Sequence, residues 1–280
     1  NKMGLFKKLL RQQDLDFIYN KYISDFVDMP QKITTYQRQK TKKNKIVIYT
    51  AIVDNYDSLK IPQILHPNVD YVCFTNQPIK DGGIWQIRAC PWLDADATRT
   101  ARYIKTHPHY LLSEYDIAIW IDANLLICGD ISTYIENFLA SNCAVGAVWH
   151  PHRQNIYQEA KACDELKKDN VDIMNIQIET YRQEGFKHND LIESNFMMFK
   201  LTNSKVPIFL NMWWSQIETF SRRDQLSLNY CLQKCGLNWY PLFPKDICCR
   251  NNSDILYLPH DQNQGIFADL SNLLQNKWVT

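Results

Sequence analysis

Apolar runs alternate with amphipathic segments along most of the chain. IVIYTAIV (46–53) is a near-continuous β-branched run, the pattern of a strand buried on both faces. VDYVCFTN (69–76) repeats it, and WQIRAC (85–90) is a shorter third strand. TRTARYIKTHPHYLL (98–112) has helical spacing and should break at Pro108, which cannot continue a helix. YDIAIWIDANLLI (115–127) reads as a strand with a polar turn, and CAVGAVWH (143–150) as another strand. Residues 154–184 read as polar helix. SNFMMFKL (194–201) is a strand, followed by helices over 206–220 and 224–235. WYPLF (239–243) and ILYLP (255–259) are short late strands. Strands alternating with helices predict an α/β fold with a mostly parallel central sheet. Ahead of it, residues 4–27 carry Leu5, Leu9, Leu10, Phe17, Ile18 and Phe26 near a helical period. That segment reads as a docking helix or a membrane-surface helix, and the basic stretch 37–45 as a solvated linker. The expected division is residues 1–44, helix and linker, and 45–280, one domain.

Composition narrows the function. The 280 residues hold 31 Lys+Arg against 30 Asp+Glu, a net charge of +1, so no global field favours nucleic acid. The 9 cysteines form no C-x-x-C pair, which argues against a zinc ribbon or a disulfide framework and fits a reducing compartment. No apolar run is long enough to span a membrane. No G-x-G-x-x-G, P-loop, G-x-S-x-G or H-E-x-x-H is present, which removes the usual dinucleotide, P-loop kinase, α/β-hydrolase and zincin readings.

Four constellations remain. WIDANLL (120–126) runs from apolar strand residues into Asp122, Ala123 and Asn124. Two oxygen donors two residues apart at a strand's carboxyl edge suit a hard divalent cation, and also suit an ordinary polar turn. Arg99, Arg102 and Lys105 share one helix face, as a phosphate-facing patch or a solvated surface. Glu193, Ser194 and Asn195 enter an apolar strand, as a cap or a substrate-facing edge. Asp224 and Gln225 open an amphipathic helix, where Asp is also a natural N-cap. His150, His152 and His260 are further candidate ligands, and Met212-Trp213-Trp214 is either a wall of the acceptor side or helix core.

The order YTAIVDNYD, VDYVCFTN, RTARYIK, IDAN, H-x-x-R-x-x-x-Y-x-E-A, ESNFMMFK, WW-x-x-I and SRRDQLSLNY resembles a glycosyltransferase-like domain family. That family, once filed as a domain of unknown function, occurs in bacterial polysaccharide loci and in plant Golgi proteins linked to mucilage and pollen. The resemblance runs from about Ile46 to about Leu232. More distantly the layout is similar to the family 8 galactosyl- and glucosyltransferases. It implies a GT-A (Rossmann-like) fold and transfer of a sugar from a nucleotide-diphosphate sugar, a UDP-sugar by analogy. The implied acceptor is a glycan or lipid-linked glycan in capsule or lipopolysaccharide synthesis. By position, Thr50, Ala51 and Asp54 would hold the base and ribose, and Arg99, Arg102 and Lys105 the phosphates or sugar. Asp122 and Asn124 would stand for the family 8 D-x-D, with His260 as third ligand of Mn²⁺ or Mg²⁺. Glu193 and Asn195 would line the acceptor and sugar pocket, and Asp224 and Gln225 would sit beside the anomeric carbon, with a retaining course by analogy. The motif here is D-x-N, so basic residues are an alternative source of the cation's charge.

Two other classes stay open: a metal-dependent hydrolase of a lipid or sugar ester, and a non-catalytic sugar-binding domain. The expected location is cytoplasmic, with peripheral contact to the inner membrane through the basic N-terminal segment.

Overall fold

The structure, a computed structural model, describes residues 44–260. The expected helix over 4–27 and the basic segment up to residue 43 lie outside the described residues.

A mixed seven-stranded sheet forms the centre. Its strands are β1 (Ile46–Ile52), β2 (Val69–Thr75), β3 (Gln86–Ala89), β4 (Ile117–Ile121), β6 (Val145–Trp149), β7 (Ile192–Lys200) and β8 (Trp239–Pro241), in the order β3-β2-β1-β4-β7-β6-β8. The β3-β2-β1-β4 block and the β6-β8 pair are parallel, and β7 runs antiparallel between β4 and β6. This is the mostly parallel α/β sheet that the alternating pattern predicts, and it is consistent with a GT-A fold. Every residue of β1 is buried, and alternate side chains feed two cores. Val47, Tyr49 and Ala51 join Ile104, Trp120 and Trp213 on one face, and Ile46, Ile48 and Ile52 join Ile119 and Phe138 on the other.

The helices are α1 (Ala97–Thr106), α2 (Pro108–Leu111), α3 (Ser132–Ala140), α4 (Ile156–Glu165), α5 (Val171–Gln183), α6 (Lys205–Thr219) and α7 (Gln225–Lys234). The break between α1 and α2 falls at His107, where Pro108 forces it. The polar region 154–184 is two helices, because Asn170 caps a new one by accepting from the Asp172 and Ile173 N–H groups.

One expectation needs correction. Residues 115–127 are not one strand. Asp122 N–H still continues the β4–β7 ladder by bonding Asn195 O (2.9 Å), and the chain then turns, with Leu125 N–H on Asp122 O (2.9 Å). The remaining apolar residues form β5 (Leu125–Ile127), which pairs antiparallel with β9 (Ile255–Tyr257) in a separate two-stranded sheet. Gly129 permits this approach, since a Cβ there would lie 2.7 Å from Asp254 Cα. Asn124 locks the pair: its side-chain Nδ2–H donates to Leu258 O (2.7 Å) and its carbonyl accepts Leu258 N–H (2.9 Å).

Among the described residues all the cysteines are free, and no helix is long and apolar enough to cross a membrane. Met212-Trp213-Trp214 belongs to helix core and is not part of the lining of the cleft at the sheet's carboxyl edge. Trp213 is fully buried with its indole N–H on Asp224 O (3.0 Å), and Trp214 packs edge-on against Trp92 and Tyr103.

Candidate active site

The sheet topology brings the carboxyl ends of β1, β4 and β6 and the start of β7 to one edge. Strand order reverses between β1 and β4, the place where open α/β sheets leave a crevice. A cleft of about 360 Å³ lies there, within the range of small-ligand pockets. Its lining comes from the β1 end, α1, the 122–124 turn, the loop after β6, the start of β7, the entry to α7, and the late residues Arg250, Tyr257 and His260.

Of the residues expected to act, Ala51, Arg102, Asp122, Asn124, Glu193, Asn195, Gln225 and His260 line the cleft. Thr50 is buried next to it, with its hydroxyl unpartnered. Three others are directed elsewhere. Asp54 adopts a left-handed turn (φ 54°) and clasps Asn76, donating N–H to Oδ1 (2.9 Å) and accepting from Nδ2 (2.7 Å). Arg99 closes the end of α6, with its guanidinium on the carbonyls of Ile217, Glu218 and Phe220. Lys105 is fully buried beneath the floor, with its ammonium between the Trp120 and Trp213 rings at 5.4 and 5.6 Å.

Asp224 also lies beneath the floor, 1% exposed. Its Oδ2 accepts from Lys105 Nζ (2.6 Å) and Ser194 Oγ (2.9 Å), and its Oδ1 accepts the Gln225 N–H (3.1 Å). Arg102 Nε is 3.4 Å away. Burial works against the charge, but Arg102, Lys105 and Arg223 overcome it and hold this carboxyl far below the ordinary carboxylate range. The expected N-cap is therefore real, and the carboxylate is enclosed by donors and does not line the cleft.

Glu193 is the converse. Strand alternation sends Ser194 toward Asp224 and turns Glu193 and Asn195 the other way, toward Arg250 and Cys249. Glu193 Oε1 accepts from Arg250 Nη1 (2.5 Å), while Oε2 is buried without a partner. Burial raises this carboxyl above its usual range, with Arg250 opposing. Buried atoms without a hydrogen bond recur on cleft-lining residues: Arg223 Nε and Asn195 Nδ2 join Glu193 Oε2.

The loop after β6 adds charge. Arg153 pairs with Glu159 through Nε, and Arg223 Nη2 lies 3.8 Å from the same carboxylate. His150 Nδ1 accepts the backbone N–H groups of His152 (3.1 Å) and Arg153 (3.0 Å), which pins the loop. Burial, then Arg153, pushes His150 down to about 3, so it stays neutral. Arg153 and Arg223 sit inside the H-x-x-R and SRRDQ motifs, yet no role follows from those motifs alone. Arg250 carries no sequence signal beyond following Cys248-Cys249.

The donor set expected for Mn²⁺ or Mg²⁺ does not fit a cation. Asp122 Oδ1 accepts the Trp120 indole N–H (2.7 Å) and stands 3.9 Å from the Lys105 ammonium. Asn124 holds residue 258, and His260 Nδ1 bonds Asp57 Oδ2 (2.9 Å). Among the described residues no three His, Cys, Asp or Glu side chains converge as a metal site. Hard cations want several oxygen ligands, carboxylates above all.

The family model described as TOD1/MUCI70, glycosyltransferase-like domain, matches residues 19–252. No curated protein matches the chain. Among solved structures, the bifunctional glycosyltransferase WbbM in its apo form is similar with a TM-score of 0.43 and 10% identity. The match covers 83% of this chain and 45% of that one, so the chain spans less than half of WbbM. At that score the likeness assigns no residue a role.

Proposed function

Since the chain belongs to the TOD1/MUCI70 glycosyltransferase-like family, we propose that its cleft moves a sugar from a nucleotide-diphosphate sugar to a glycan or lipid-linked glycan hydroxyl. The cell-surface polysaccharide setting comes from the sequence resemblance. The observation that carries the reading is the set of buried polar atoms without a hydrogen bond on residues that line the cleft: Glu193 Oε2, Asn195 Nδ2 and Arg223 Nε. Each is costly to leave unbonded in a folded protein, and a polar ligand would satisfy them together.

In this reading the base and ribose lie along Ala51 to Asp57, against the exposed Tyr56 ring that packs on His260 (4.7 Å). The sugar points toward Gln225 and Asn195. The acceptor hydroxyl attacks the anomeric carbon, the bond from that carbon to the diphosphate oxygen breaks, and the nucleoside diphosphate leaves with both electrons. The acceptor proton passes to Glu193 Oε2. A base on the attacking side makes the course inverting, in place of the retention implied by the family 8 likeness. The transition state is oxocarbenium-like, and fixed positive charge at the leaving diphosphate lowers its energy. A metal-dependent hydrolase is less well supported, because the ligand set it needs is not assembled among the described residues.

A thermal-shift screen of nucleoside diphosphates and their sugars tests the reading. A ligand at about 100 times its dissociation constant should stabilise the protein by about 2.7 kcal/mol. One nucleoside class should stand out, followed by release of that diphosphate on adding acceptor. No shift with any nucleotide would refute it.

A further inference from the structure

Asp122 is the carboxylate where a cation is expected, and its charge is already balanced. The Trp120 indole donates to it at 2.7 Å, and the buried Lys105 ammonium stands 3.9 Å away. A divalent cation arriving there would meet one engaged carboxylate, the neighbouring Glu193 carboxyl that burial drives toward its protonated form, and a like charge behind them. Against α1, α4 and α7 the balance is the reverse. Arg102, Arg153, Lys168 and Arg223 line that side of the cleft with Lys105 below them, and they outnumber the carboxylates Glu159 and Asp224. His150, in the same loop, adds no negative charge. Arg102 and Arg223 both act on Asp224 and on Tyr56, so the two guanidinium groups serve one region. Arg102 turns its Nε to Asp224 Oδ2 (3.4 Å), and both guanidinium groups line the cleft.

We infer that the phosphoryl oxygens of the donor are held by Arg102 and Arg223, with Arg153 beside them, and that binding needs no divalent cation. This rests on the reading of the cleft as a nucleotide-sugar site. Planar guanidinium forks match phosphate oxygens two at a time, and they keep their charge at any working pH. They supply the fixed positive charge that a departing diphosphate requires, without a hydrated ion having to lose its water.

Titration calorimetry of the whole chain with UDP, GDP and inorganic pyrophosphate, in excess EDTA and in excess Mn²⁺, decides the matter. The expected result is one nucleotide bound with the same affinity in both buffers. Arg223→Gln should weaken it by about tenfold or more, with Arg223→Lys recovering part of the loss. Arg223 also contacts Glu159, so a thermal melt accompanies each variant, and Arg153→Gln gives a second test less dependent on that pairing. Electron paramagnetic resonance should show no Mn²⁺ held by the protein, with or without nucleotide. Nucleotide binding only in Mn²⁺, lost in Asp122→Asn, would overturn the inference and leave the donor reading standing. Pyrophosphate bound in EDTA with no nucleotide bound would keep the cation-free anion site and remove the donor reading. No binding of either in any buffer would remove both.

Discussion

Asp224 and Glu193 are buried carboxylates on either side of one strand residue, and their surroundings push them in opposite directions. Asp224 sits among Lys105, Arg102 and Arg223, with Ser194 and a backbone N–H completing its bonds. Glu193 has one cation, Arg250, and an oxygen with no partner. The first is held ionised and the second is driven toward its protonated form. Burial alone does not decide what a carboxyl can do: the number of donors gathered around it does. Asp224 joins α1, β7 and α7 under the floor, and Glu193 is the one of the pair with proton affinity left to use.

The sharpest way to break this contrast is Asp224→Asn. Removing one charge from a buried cluster leaves Lys105 uncompensated, and the loss should be roughly 3–5 kcal/mol of stability, read by denaturant unfolding at neutral pH. A depressed carboxyl contributes its full stability above its unfolded pKa of about 3.9 and loses it as acid protonates the folded state. The variant should therefore be least different from the parent at the lowest pH where both still fold. Glu193→Gln should show the other sign. A raised carboxyl favours the native state below its unfolded pKa of about 4.3 and costs stability as pH climbs through its folded value. This variant should melt within about 1 kcal/mol of the parent while sugar transfer falls about 100-fold, the lower end of what a general base contributes. The parent's kcat/KM should rise with pH along a limb above the ordinary carboxylate range. Equal destabilisation in the two variants would erase the distinction. Ser194→Ala is the finest probe. It removes one hydroxyl from Asp224 and should cost about 1 kcal/mol, with transfer falling far less than in Glu193→Gln, because the Ser194 hydroxyl is engaged by Asp224.

Much of this was legible in the sequence, for local reasons. The β-branched runs at 46–53 and 69–76 can only be buried strands, and Pro108 stops a helix wherever it falls. The 122–124 turn and the alternation across Glu193, Ser194 and Asn195 follow from residue type and period. What escaped depends on partners far away in the chain. Arg99 looks like a phosphate ligand until α6 ends against it, 121 positions later at Phe220. Lys105 and Asp224, 119 positions apart, read locally as part of a basic helix face and as a helix N-cap, and become a buried pair only in the fold. LLI at 125–127 continues the apolar run of β4, so nothing nearby reveals that its hydrogen bonds go to β9. Arg250 had no pattern to mark it at all.

The Asn124–Leu258 clasp joins positions 134 apart, and it is one of the last long-range closures the described chain can make. Loop-closure entropy rises only slowly with length, so the clasp is affordable, but it cannot form while the chain is still short. As the domain emerges during synthesis, β1 and β4 can find each other early, yet the 122–124 turn has no strand to lean on until β9 arrives. Arg250, Tyr257 and His260 arrive in the same late stretch. A growing chain therefore carries Asp122 without the far side of its cleft until residues 250–260 have been made. The cleft is in this sense complete only once β9 has docked on β5.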